Sequence, residues 1–152
     1  MGDPSKSIAP LLGRILLCWI FLFSAIGQIL EFAVNEERAV NAGLPFPALA
    51  IAVSIVIQTL GGLSLLLGFQ ARLGGWLLFL FLIPTTLAFH RFWALQGPAH
   101  TQQELNFLRN IAIMGGLLFV GTFGAGAYSL DSALAGKHTS PEPTQDAARS
   151  AT

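Results

Sequence analysis

Residues 39–71, between Arg38 and Arg72, contain no Asp, Glu, Lys or Arg. A helix crosses the hydrocarbon of a bilayer with roughly 20 mostly apolar residues at a rise of about 1.5 Å each, so this interval is long enough for one span and its approaches. It opens on Pro45-Phe46-Pro47, a helix start, and closes at Gly68, a helix stop. Three further stretches qualify. Leu11 to Ala33 carries only Arg14 and Glu31 as charges, each near an end; Leu73 to Phe89 is uncharged, with Pro84 as an expected kink; Ile111 to Leu130 is uncharged. Composition agrees, since 53% of the chain is apolar and 11% charged, against about 25% charged in soluble proteins. The expected fold is all-α: an integral membrane four-helix bundle running up-down-up-down. It would have an N-terminal segment at 1–10, helices at about 11–33, 46–69, 72–90 and 102–130, and a disordered Ser/Thr/Pro/Ala-rich tail at 131–152.

The connections are uneven. Asn35 to Leu44 reads as a loop, Gln70-Ala71-Arg72 as a very tight turn, and Arg91 to His100 as a linker broken at Gly97-Pro98. Thr101-Gln102-Gln103-Glu104 has the form of a capping box that starts the fourth helix. The pairs Gly61-Gly62 and Gly115-Gly116 fit close-packing helix faces. With an even number of crossings, Lys6, Arg14, Arg72, Lys137 and Arg149 share one side and Arg38, Arg91 and Arg109 the other, which places both termini in the cytoplasm. Arg14 and Arg72 would then meet lipid phosphate. The Lys6 and Arg14 flank imitates a secretory signal, but the apolar run is too long, so it reads as a retained span.

Several chemistries drop out. Eight basic and eight acidic residues give zero net charge, which leaves no electrostatic footprint for nucleic acid. Cys18 is the single cysteine, so neither an internal disulfide nor a CxxC pair can form. His90 is the one histidine beside a span, with His100 in a loop and His138 in the tail, so a haem with two internal histidine ligands is not expected, nor is a metal site. No P-loop, dinucleotide fingerprint or Gly-x-Ser-x-Gly elbow is present.

Polar residues inside the spans are costly toward lipid and should turn inward. Ser24, Gln28 and Glu31 share a face of the first helix by i, i+4, i+7 spacing; Gln58 lies on the second with Ser54 and Gly61; Thr86 and His90 align on the third; Asn106 and Asn110 align on the fourth, with Arg109 beside them. The topology brings these to one membrane level, toward the outer face. Interhelical packing alone would account for Ser24, Gln58 and Asn110 at about 0.6 kcal/mol each. His90 is the sharpest functional candidate, since a histidine changes charge near neutral pH.

The motifs resemble, in order and spacing, the DoxX family of small four-helix membrane proteins. They are Gly13-Arg14-Ile15-Leu16-Leu17, Phe21 to Gly27, Gly61-Gly62 through Leu67-Gly68-Phe69 with Arg72, Phe89-His90-Arg91-Phe92-Trp93, and Arg109-Asn110 through Leu117-Leu118. The likeness runs from about Leu11 to Val120. Gln28 and Gln58 depart from it, standing where relatives often carry lysine and glutamate. The resemblance implies a bacterial inner-membrane protein, with some relatives tied to quinone-linked redox systems.

Two functions follow as expectations. In the first, the chain is a membrane subunit that takes a quinone or other small apolar ligand near the outer face and works with a separate redox partner. His90 and Glu31 would be the catalytic pair, with His90 exchanging a proton at the ligand and Glu31 connecting to water; Gln28, Gln58, Thr86, Asn106, Arg109 and Asn110 would bind the ligand. In the second it is a non-enzymatic scaffold whose glycine faces anchor another membrane subunit, or a second copy of the chain, in the bilayer.

Overall fold

A computed structural model describes residues 8–137. Helix α1 (Ala9–Leu30) begins with Pro10 in its first turn and ends at Glu31, whose backbone (φ −115°, ψ 42°) leaves the helical region. The chain then resumes as α2 (Phe32–Asn41), where a loop was expected. Ala, Glu and Arg in this segment are good helix formers, and Ala39 is fully buried against the bundle. Helix α3 (Pro47–Leu67) stops at Gly68, which adopts φ 65°, so that its N–H and that of Phe69 both reach the Ser64 carbonyl. This left-handed cap makes the hairpin to α4 (Ala71–Phe89) as tight as its sequence suggests. A 3₁₀ turn at Phe92–Ala94 leads to α5 (Pro98–Phe123), and a short α6 (Leu130–Lys137) follows.

Three expectations on helix ends change, the first being that the fourth span closes at Phe123 before Gly124 and not at 130. Helix α5 starts at Pro98 behind Gly97, with no side-chain cap, so Thr101 and Glu104 form no capping box; they lie inside the helix, and Glu104 stands 3.8 Å from His100. Proline at the first helical position already fits the start, since its missing N–H would have had no intrahelical partner. The polar segment expected to be disordered from residue 131 begins as α6; residues 138–152 lie outside the described residues.

α1 packs on α3, α3 on α4, and α4 on α5, while α1 and α5 meet more lightly. Leu65, Leu78 and Leu117 are fully buried at the centre beside Cys18 and Phe21. Glycine sets the closeness of α4 and α5: a Cβ on Gly75 would stand 3.0 Å from the Gly121 nitrogen and 3.2 Å from the Leu117 carbonyl oxygen. A Cβ on Gly61 would meet the Leu78 side chain at 2.5 Å, so this glycine is spent inside the bundle and is no free face for another subunit. Outside, all four long helices show apolar side chains; at most 33% of any span's most apolar window is buried, and only 11% in α5. Exposed Leu16, Trp19, Phe23 and Phe119 are the surface that a bilayer covers.

Arg14 corrects another expectation. It is 1% exposed and does not face lipid phosphate. Its Nη1 donates to the Leu65 carbonyl at 3.0 Å and its Nη2 to the Tyr128 carbonyl at 2.5 Å. Leu65 lies in the last turn of α3, where carbonyls lack helical partners and the dipole favours a cation. Across the same hairpin, the Asp131 carboxylate accepts the amides of Gln70 at 2.7 Å and Ala71 at 3.2 Å, capping the start of α4. The segment after α5 thereby ties α1, α3 and α4 together at the end of the bundle remote from the polar cluster.

Candidate functional site: a polar-lined cavity

The C-terminal half of α1, the N-terminal half of α3, the C-terminal half of α4 and the N-terminal half of α5 enclose a cavity of about 1170 Å³, with α2 along one edge. Its apolar walls include Phe21, Ile51, Leu82, Phe89 and Ile113. The polar groups come from every helix around it, because each helix carries them on one face and lipid is a poor alternative.

Helices α1 and α3 contribute the same device. Gln28 Nε2 donates to Ser24 Oγ at 3.4 Å, and Gln58 Nε2 donates to Ser54 Oγ at 2.8 Å, each one turn apart. Both pairs line the cavity, and Gln58 is 3% exposed. The Gln28 Oε1 is buried with no hydrogen-bond partner. An unmet buried acceptor costs about 1–3 kcal/mol, so this oxygen favours any ligand that brings a donor.

From α4 and α5, Asn110 Nδ2 donates to Thr86 Oγ1 at 2.9 Å. Thr86 is buried and is not part of the lining; it holds Asn110, which is. His90 ends α4, and its Nδ1 lies 2.7 Å from Gln103 Oε1. With the Gln103 carbonyl oxygen accepting, Nδ1 is the donor of this contact, and in the neutral ring Nε2 is then left to accept. Asn106 and Arg109 complete the α5 contribution, and Arg38 and Arg91 stand at the same cavity.

The structure thus gathers Gln28, Gln58, His90, Asn106, Arg109 and Asn110, with Thr86 in support. It does not gather Glu31. The break between α1 and α2 falls at this residue, carrying it off the face of Ser24 and Gln28; it is exposed, outside the lining, and its carbonyl accepts from Asn35 Nδ2 at 2.8 Å. Asn35, Arg38 and Gln103 are lining residues that the sequence reading left out. The first two were hidden in a presumed loop and Gln103 in a presumed cap; the helix-forming composition of residues 32–41 was the available signal. Among the described residues, no three His, Cys, Asp or Glu side chains group to hold a metal.

A family model, DoxX, matches residues 9–91, more than half of the chain. The chain belongs to the DoxX family. The match takes in α1 to α4 and ends at Arg91, just after His90, so the α5 wall of the cavity lies beyond it. Two Escherichia coli (strain K12) relatives extend further. Inner membrane protein YphA is 27% identical over 84% of this chain and 91% of its own length, and inner membrane protein YqjF is 29% identical over 85% and 94%. No solved structure matches. With four helices long and apolar enough to span, the chain is a multi-pass inner membrane protein of the DoxX family.

Proposed function

We propose that this DoxX protein is a membrane-embedded binding subunit that takes a small apolar ligand bearing hydrogen-bonding oxygens, a quinone-class ring being the form to test. The unpartnered Gln28 Oε1 in a cavity that combines apolar walls with convergent polar groups carries this reading. The donor set fits such a ring. Gln28 Oε1 and His90 Nε2 accept from ring hydroxyls of the reduced, quinol form, and the second N–H of Asn110, held by Thr86, donates to a ring oxygen. Glu31 takes no part. Electrons for any redox turnover would come from a separate protein partner.

The test is binding of decylubiquinol, the reduced form that carries the hydroxyls, to the purified chain in nanodiscs. His90→Ala and Gln28→Leu should each weaken it about tenfold, the value of one lost hydrogen bond to a buried group, with helicity unchanged. Binding that neither substitution alters would overturn the assignment. A second reading, a scaffold that docks another subunit or another copy, is favoured by one observation: α5 is the least buried span, and a Cβ on its Gly115 would meet nothing within 4 Å. Gly115→Leu should then abolish co-purification of the partner, and His90→Ala should leave it intact.

A further inference from the structure

The charged residues around the cavity are of one sign. Arg38 of α2, Arg91 after α4 and Arg109 of α5 all line it, and among the described residues no Asp or Glu does. Glu31, Glu36, Glu37 and Glu104 belong to the same end of the bundle, yet none is within ion-pair distance of these arginines; His100 with Glu104 is the one such pair in the described residues. What holds the guanidinium groups is neutral: Arg91 donates to the Ala42 carbonyl at 3.2 Å and Arg38 to Asn35 Oδ1 at 3.3 Å. Arg109 makes no hydrogen bond or ion pair among the described residues.

Arginines at a membrane interface often serve only to meet the aqueous phase. Here three separate segments each place an arginine at the lining of one cavity, and no described carboxylate lines it. Unpaired guanidinium groups beside a low-dielectric chamber raise its potential and offer fork-shaped donors matched to carboxylate or phosphate. Behind them lie Phe21, Ile51 and Leu82, with the Gln28 and Gln58 amides. The combination is cationic at the rim and apolar with neutral acceptors in depth.

We propose that the cavity selects an acidic amphiphile, with its carboxylate or phosphate at Arg38, Arg91 and Arg109 and its apolar body between α1, α3, α4 and α5. This rests on the ligand-binding reading above and adds the charge of the ligand to it.

The experiment compares four probes on the full chain in phosphatidylcholine nanodiscs: oleate, oleyl alcohol, decyl phosphate and decylubiquinol. Oleate and decyl phosphate should bind at least tenfold more tightly than the alcohol, and added salt should narrow the gap. Arg38→Gln, Arg91→Gln and Arg109→Gln should each lower oleate affinity about tenfold without affecting the alcohol, while Arg109→Lys retains most of it. Replacing phosphatidylcholine with phosphatidylglycerol separates the sources of the anion. Competition with oleate identifies a lipid headgroup as the occupant, and unchanged oleate binding identifies a free acid. If acid, alcohol and quinol bind equally and the glutamine variants change nothing, this inference is overturned and the cavity reading stands. If none of the four binds, both fall.

Discussion

Replacing Arg14 with methionine tests the tie at the remote end of the bundle. The side chain is 1% exposed and donates to two carbonyls, Leu65 at 3.0 Å and Tyr128 at 2.5 Å. Two charged hydrogen bonds at about 1.5–3 kcal/mol each, reduced by relief of guanidinium desolvation, leave an expected loss of about 2–4 kcal/mol. Methionine fills most of the volume, so the loss reports the carbonyls and not a cavity. Lysine keeps the charge without the fork, and Arg14→Lys should cost about half as much. Arg72 is exposed, and Arg72→Met should cost about 0.5 kcal/mol or less. Reversible unfolding in mixed micelles, followed by far-ultraviolet circular dichroism, reads all three. Equal stabilities for Arg14→Met and Arg72→Met would refute the argument.

Four further outcomes follow. Asp131→Ala removes the acceptor for the Gln70 and Ala71 amides and should destabilise by about 0.5–2 kcal/mol in the same assay, the usual value of a helix cap. Gly75→Leu should prevent assembly of the bundle, because its side chain would enter the α5 backbone, whereas Gly115→Leu should leave monomer stability unchanged; thermal denaturation separates them. A double-mutant cycle of Thr86→Val with Asn110→Leu should show coupling of about 0.6 kcal/mol, and additive losses would remove their hydrogen bond. Gln103→Leu should weaken quinol binding less than His90→Ala, since Gln103 orients the ring without supplying its free nitrogen.

Charge placement made the spans legible. The interval 39–71 and the two runs after it have too little charge for any other use, and the Gly68 cap is where its sequence puts it. Helical spacing also foretold the pairs Ser24–Gln28 and Ser54–Gln58, since contacts one turn apart depend on local geometry alone. Glu31 failed for the converse reason. Its i+7 relation to Ser24 holds only in an unbroken helix, and the break is set by how α2 packs on α3. Arg14 was misread because its partners, Leu65 and Tyr128, are 51 and 114 residues away, and burial of a cation depends on carbonyls that no local pattern reveals. The contact between His90 and Gln103 is likewise tertiary, formed across the 3₁₀ turn.

Cysteine labelling addresses the shared chamber most directly. In a Cys18→Ala background, cysteines at Gln28, Gln58 and Asn110 should all react with a small water-soluble methanethiosulfonate from one side of the membrane, and decylubiquinol should slow all three. Cysteines at the outward-facing Leu16 and Phe119 should stay unreactive. Reaction of the three from opposite sides, or at a rate no different from Leu16 and Phe119, would contradict the account.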